Sequence, residues 1–388
     1  MSVLSTNDAL KQAGPAAQDI RIEPYEARHI LMVRAFNERM RGRGVAEFPE
    51  SNIPSWLPPD TSRSLGLYQE YFVAADSAAV RGVYILKHQD FFIQGRRVSI
   101  AAYQFPVSEG IADPGFVKVG PMLTLDALKK QPRLFVLGMG GHSEKLPQFL
   151  KAMRWSFCDV PFFIKILKPF NVLRKINSLR KNFFRKLILD MAAFSGAGWL
   201  GIHALQAFKT HRASVKGLRF QEFQTFDGAA DILWERVSNE YSMIALRDSQ
   251  NLNVLYPESS AKFRKINIFE GDRNIGWAVL LDTPMDGHVH FGSLRVGSII
   301  DCLSHPEDAG KILSAATDYL TGRGVDMIVS NHSHHSYVRA FEKLGYLRGP
   351  NIFLFTSSRE LTRVIGPFDN LKDRFFFMRG DGDGPINL

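Results

Sequence analysis

The chain has 388 residues, 45% hydrophobic and 22% charged, enough to bury the cores of two or three domains. Its two cysteines, Cys158 and Cys302, lie far apart in apolar surroundings, which argues against a disulfide framework and fits a reducing compartment. The net charge of +9 is concentrated at 165–186, where eight Lys or Arg stand among apolar residues without an acid; no helix-turn-helix, zinc-finger or RNA-binding signature accompanies it, so no nucleic acid is expected.

Residues 1–19 have no basic start and no apolar run, and read as a flexible lead-in without a secretory signal. A first strand is expected at 20–23. An amphipathic helix follows at 27–41, carrying Ile30, Leu31, Val33, Ala35 and Phe36. The Pro- and Ser-rich stretch 42–64 is a loop. Residues 71–75 and 79–88 read as a strand pair, and 92–105 as a further hairpin. Pro114-Gly115 marks a turn before an apolar-striped segment at 122–128. Further elements are expected at 134–137, 146–153 and 160–166.

The stretch 168–216 reads as a linker, cationic at 171–186 and then apolar at 187–208. At ~1.5 Å per residue the apolar part is long enough to span a bilayer core of ~30 Å. Asp190, Gln206 and three glycines weaken that reading. A buried inter-domain helix is favoured over an interfacial helix on an anionic membrane, and both over a true span. Beyond it, 218–223 is a strand and 229–241 a helix. Residues 247–249 and 252–256 form a covering loop, 263–269 and 274–281 a hairpin, and 287–297 leads into a central strand. The order then runs strand 296–303, helix 308–320, strand 326–330, helix 336–344 ended by Gly345, and strand 352–355. In the tail, Asp381 and Asp383 stand in a Gly-Asp-Gly-Asp-Gly run without the glutamate of a calcium loop, and a solvated turn is expected.

The same order of elements occurs in both halves. Gly310 and Gly120 are 190 apart, and each is followed three residues later by Leu. Tyr346 and Trp155 are 191 apart, and each ends a helix. The strand-helix-strand-helix-strand order with Lys-Leu-Gly-Tyr at 343–346 resembles the second half of the GNAT acyltransferase fold, and the doubling resembles bacterial tandem GNAT proteins. The resemblance implies an α/β chain of two mixed-sheet domains, 20–167 and 217–358, with a tail at 359–388. It further implies that each sheet splays near the ends of its central strands, and that the loop at 42–64 covers an acceptor site.

The resemblance also implies a phosphate cradle at each loop-to-helix junction and an acid and a base beside the splay. The matching cradle positions are His305, Asp308, Ala309 and Gly310 in the second half, and Gly115, Lys118 and Gly120 in the first. Asp308 reads equally as a helix cap. The family's acid, a Tyr, is replaced by Phe341 and by Leu150. Tyr337, one turn earlier on the same face, is the substitute acid. Asp301 and His334 are the candidate bases, with Glu109 the first-half counterpart of Asp301. His332, His334 and His335 lack the helix spacing of a zinc motif, so no metal is expected. The second half, which keeps Lys-Leu-Gly-Tyr where the first has Ala-Met-Arg-Trp, is expected to carry the chemistry.

The implied activity is transfer of an acyl group from acetyl-CoA or another acyl-CoA to a small-molecule or sugar amine, by direct attack in a ternary complex. A cytoplasmic protein, with peripheral contact to the inner membrane as an option, and a place in envelope-polysaccharide synthesis go with that resemblance. One alternative is an aminoacyl-tRNA-dependent transferase of the peptidoglycan type. The other is a non-catalytic ligand- or membrane-binding protein on a degenerate GNAT fold.

Overall fold

The structure is a computed structural model that describes residues 19–45, 47–50, 63–177, 217–288, 290–349 and 353–382, with Met191, Leu200, Gly201 and Ala204 between them. The expected apolar linker helix, most of the cationic stretch and most of the loop at 42–64 lie outside the described residues. Contacts divide the chain into two compact units. Unit 1 comprises Met1–Gln89, Ser99–Val136 and Ser357–Leu361, and unit 2 comprises Asp90–Val98, Leu137–Thr356 and Thr362–Leu388.

In unit 1, β1 (Arg21–Pro24), β2 (Tyr68–Ala75) and β3 (Val80–Ile93) pair antiparallel in that order. β4 (Arg96–Ser108) runs parallel to β5 (Leu134–Met139), with Ala101 opposite Leu134 and Ala102 opposite Phe135. The helix α1 (Ile30–Met40) turns Val33, Phe36 and Met40 onto Tyr71, Val73, Val83 and Ile85, as its apolar spacing requires. The helix α2 (Val119–Lys130) approaches β3 closely at Gly82. A Cβ there would meet Val119 at 2.8 Å and Leu123 at 3.1 Å, so only glycine lets α2 start so near the sheet.

Unit 2 begins with α3 (Lys145–Ala152), β6 (Ser156–Asp159), β7 (Phe162–Ile166) and α4 (Pro169–Lys175). β8 (Leu218–Phe223), α5 (Gly228–Val237), β9 (Met243–Ala245) and α6 (Ser249–Leu255) follow. Next come β10 (Arg264–Glu270), β11 (Arg273–Pro284), β12 (Arg295–Ser304), α7 (Ala309–Gly322) and β13 (Met327–Asn331). α8 (His335–Lys343), β14 (Leu347–Arg348), β15 (Phe353–Ser357) and β16 (Phe375–Phe376) complete it. Seven strands form one mixed sheet in the order β14-β7-β13-β12-β11-β10-β8. Two strands are exchanged relative to the sequence repeat. β7, expected to close the first repeat, pairs with β13 and β14. β15, expected to close the second, is the neighbour of β6. Residues 249–255, expected as loop, are helical, because Asp248 caps them by accepting from Asn251 N at 2.8 Å.

The internal repeat is visible in hydrogen bonds. Trp155 N donates to Leu150 O at 3.1 Å, and Tyr346 N donates to Phe341 O at 3.0 Å, at an offset of 191 in both atoms. The residue before each is left-handed, Arg154 with φ 62° and Gly345 with φ 78°. Both cysteines are free. Among the described residues no helix is long and apolar enough to cross a membrane.

Candidate functional site

β12 and β13 run parallel from the Val296–Met327 pair to the Ile299–Ser330 pair, and their pairing then stops, with β12 running on to Ser304 and β13 ending at Asn331, opposite Phe162 of β7. The ladder between β11 and β12 slips where Ile300 has no partner, which is a bulge. The central strands therefore splay where the sequence predicts. The junction to α7 is a short turn in which the His305 ring accepts from Glu307 N at 3.4 Å. Ala309 and Gly310 line a cleft of 280 Å³ together with Arg339 and Lys343 of α8. A Cβ on Gly310 would meet nothing within 4 Å, so its bare backbone opens onto this cleft. His305 and Lys311 line a second cleft, of 420 Å³, with Arg236 and Arg273. Asp308 makes no side-chain cap and instead pairs with Lys311 at 3.0 Å. Glu307 and Asp308 thus place two carboxylates at the helix end that attracts anions.

The three expected catalytic side chains are buried, and they do not converge on either cleft. The Tyr337 hydroxyl lies 2.9 Å from Ser304 Oγ and 3.2 Å from the Tyr241 hydroxyl. Ser304 Oγ donates to His305 O, and the Tyr241 hydroxyl donates to Ser304 O. Both neighbours have therefore spent their protons on carbonyls, and Tyr337, with a single proton, donates to one of them. It has no exposed surface, and burial raises its pKa further above the phenol range. Its hydroxyl is held inside the core, away from both clefts. His334 caps α8, its Nδ1 accepting from Ser336 N at 3.2 Å. Burial, and then His335 and Arg374, push it down to about 3, so it is neutral and weakly basic. His332 Nδ1 accepts from His334 N at 3.0 Å, and the ring stacks on Tyr337 at 4.1 Å.

Asp301 belongs to a separate ion-pair cluster. Arg247 Nε donates to its Oδ1 at 3.0 Å and the Tyr256 hydroxyl to its Oδ2 at 2.9 Å. Arg247 Nη2 also donates to both oxygens of Asp381 at 2.9 Å. Burial pushes Asp301 up to about 6, with the Asp381 charge adding to it and Arg247 opposing. Every Asp301 lone pair that matters is engaged, so it is not placed to take a substrate proton. Asp381, expected in a solvated turn, is 2% exposed and anchors the tail to β12.

That anchoring explains what fills the splay. Residues 375–378 are completely buried. Phe377 N donates to Ser333 Oγ at 2.8 Å, and Ser333 N donates to Phe377 O at 3.2 Å. Met378 Sδ lies 3.5 Å from Cys302 Sγ, and β16 pairs in parallel with β9. A Cβ on Gly380 would stand 3.5 Å from Ile300 O, so the bulge faces the chain's own tail. The groove in which the resemblance places an acyl thioester is occupied by covalently attached residues in unit 2. Sequence reasoning missed this because Arg247 and Asp381 are 134 residues apart and neither carries a motif.

Unit 1 offers a different picture. Phe105, in the last third of β4, has φ 50°. The other left-handed non-glycine residues described are Gln94, in the β3–β4 turn, and Arg154, at a helix end. A bulky residue held there within a strand is strained. Near the end of β4, Glu109, the expected base, is clamped by Arg39 Nε at 2.7 Å and Arg81 Nη1 at 3.0 Å. It is a charge anchor in a balanced cluster, since Arg81 Nε also donates to Asp76 Oδ2 at 2.7 Å. Asp113 caps the next turn by accepting from Gly115 N at 2.8 Å. Lys118 precedes α2 and is exposed. A Cβ on Gly120 would meet only Ser108 Oγ, at 3.4 Å.

Solved structures share this architecture. N-myristoyltransferase from Saccharomyces cerevisiae with bound myristoyl-CoA and inhibitors matches with a TM-score of 0.51 at 10% identity, over 92% of this chain and 84% of that chain. A second structure of that enzyme with bound myristoyl-CoA gives 0.50 at 11% identity, over 92% and 82%. A tandem GNAT protein from the clavulanic acid biosynthesis pathway gives 0.47 at 12% identity, over 88% and 99%. The first two establish a shared mixed α/β fold. No protein-family model matches the chain, and a search of curated proteins by sequence finds no match.

Proposed function

We propose that the chain is an N-acyltransferase that moves an acyl group from acyl-CoA to an amine, and that unit 1 holds the acyl-CoA. The observation that carries this is the left-handed Phe105 within β4, on the strand that leads to the start of α2. A residue in that conformation turns its peptide groups out of the ladder, and a peptide N–H so presented polarises a thioester carbonyl. The amine nitrogen bonds to that carbon, the C–S bond breaks, the amine gives up one proton and the CoA thiolate takes one up. The start of α2, with Lys118 and the open Gly120, suits the pyrophosphate. The myristoyl-CoA in the yeast structures of the same fold supports an acyl-CoA as donor.

Calorimetry with acetyl-CoA and a long-chain acyl-CoA tests the assignment. Gly120→Val keeps the fold, since the glycine is helical and its surroundings are open, and it is expected to weaken acyl-CoA binding by about tenfold or more. Lys118→Ala is expected to cost about two- to fivefold, the usual size of a charge near a helix end. Gly310→Val in unit 2 is expected to leave binding unchanged. Loss of binding in Gly310→Val with retention in Gly120→Val returns the site to unit 2. Absence of binding in the wild type removes the transferase reading.

A further inference from the structure

The helix α2 of unit 1 is apolar on both of its sides. Val117 and Lys118 already have helical dihedrals, so the turn runs without a break from Val117 to Lys130. Its inward side turns Val119, Leu123 and Ala127 into the core, with Val119 and Leu123 against Gly82. At about 3.6 residues per turn the opposite side collects Lys118, Pro121, Met122, Leu125 and Lys129, with Val117 at its edge. Val117 is 63% exposed and Leu125 52%, and Pro121 between them is exposed as well. Ile111, in the preceding turn, extends the patch. A Cβ on its neighbour Gly110 would meet Val117 Cα at 2.8 Å, so that turn lies directly against the start of α2. A helix packed on a sheet by one side ordinarily shows polar and charged groups on the other, and a helix apolar all round is ordinarily covered.

The charges on this outer face have one sign. Lys118 and Lys129 are both exposed, and neither forms an ion pair among the described residues. The acid of the helix, Asp126, is held off the face, accepting from the Tyr84 hydroxyl at 2.5 Å and pairing with Lys130. Asp113, before the helix, spends its carboxylate on Gly115 N at 2.8 Å.

We propose that the outer face of α2 docks on an anionic lipid surface. Val117, Pro121 and Leu125 enter the boundary between headgroups and acyl chains, Lys129 reaches the lipid phosphates, and Lys118 adds its charge at the other end. Apolar side chains beside lysines are the composition of an interfacial helix, and a lysine stem lies along apolar surface while its ammonium stays in the headgroup layer. Charge decides against a second copy of this chain as the occupant. A two-fold pairing of this face brings four lysines together with no acid to meet them, whereas an anionic surface meets each of them. The net charge of +9 acts in the same direction. The inference is independent of the acyltransferase reading and holds whichever unit binds acyl-CoA.

The test is co-sedimentation of the full-length protein with vesicles of phosphatidylcholine alone, and of phosphatidylcholine mixed with phosphatidylglycerol. The wild type is expected to bind the mixed vesicles about tenfold or more tighter than the neutral ones, and to release them at high salt. Leu125→Glu removes an apolar contact and adds a repelled charge, and is expected to weaken binding by about tenfold or more. Lys129→Gln is expected to cost about fivefold, the usual share of one lysine near an anionic surface. Both positions are solvent-exposed, so thermal unfolding of the variants should match the wild type, and Leu125→Ser serves if the glutamate disturbs the helix. Wild-type binding that no folded variant weakens overturns the proposal and moves the lipid contact to the cationic stretch at 165–186. Equal binding to both vesicle types, or to neither, also overturns it. So does a wild-type dimer that Leu125→Glu dissociates, which assigns the face to a second copy.

Discussion

Asp301 and Asp381 share one guanidinium, so the buried cluster around Arg247 carries two carboxylates for one cation. A proton on Asp301 relieves that excess, which is why burial and Asp381 hold its pKa near 6 rather than near the ordinary 3.9. The folded state therefore binds this proton more tightly than the unfolded state does. The stabilisation is full below about pH 4 and is lost as pH rises through about 6. Asp301→Asn should accordingly lower stability less at pH 8 than at pH 4.5, in urea titrations of both proteins. A gap that widens with rising pH would show that the charged carboxylate is what the fold needs. His334 has the opposite sign. Its folded pKa is about 3 against about 6.5 unfolded, so its contribution is present above pH 6.5 and lost on acidification. His334→Asn keeps an acceptor for the α8 cap and removes the titration. Between pH 7 and pH 4 the wild type should lose stability relative to that variant, by on the order of a few kcal/mol.

The tail segment 375–378 decides how the central element of unit 2 is used. Three phenylalanines and a methionine are completely buried there, each contributing roughly 1.5–3 kcal/mol. Their sum rivals the ~8 kcal/mol of a micromolar ligand, so an acyl-CoA of that affinity does not displace them. Phe376→Ala should cost about 3–5 kcal/mol, read from denaturant unfolding, because Arg247 packs 4.6 Å above its ring and His332 4.5 Å from it. Tyr337→Phe should cost about 1 kcal/mol through its lost hydrogen bonds, and leave acyl transfer untouched. A drop in turnover of ~10²–10⁴ with stability unchanged would instead restore Tyr337 as the acid.

For the whole molecule, two sheets with one splay filled by the chain's own tail lead to a stoichiometry. One acyl-CoA per chain is expected in calorimetry on the full-length protein, and two would mean that the tail yields. The doubled order of elements fits such a division of labour, with one copy of the fold for the donor and the other stabilised by its own tail.

Much of the fold was legible in the chain itself, because it is written in local periods. The 3.6-residue stripe of α1, the glycine stop at Gly345 and the 191-residue offset of the two helix ends all follow from neighbours in sequence. The strand exchange was not legible, since β7 and β15 have the same apolar pattern whichever sheet receives them. Asp301 and Tyr337 looked catalytic on their elements, and only tertiary contacts from Arg247, Ser304 and Tyr241 showed them committed to the core. Phe105 carries no signal in sequence, because strain belongs to a backbone angle and not to a residue type. Gln89 reads as one more polar residue in a strand. Its complete burial without a partner among the described residues exists only once the sheet has closed over it.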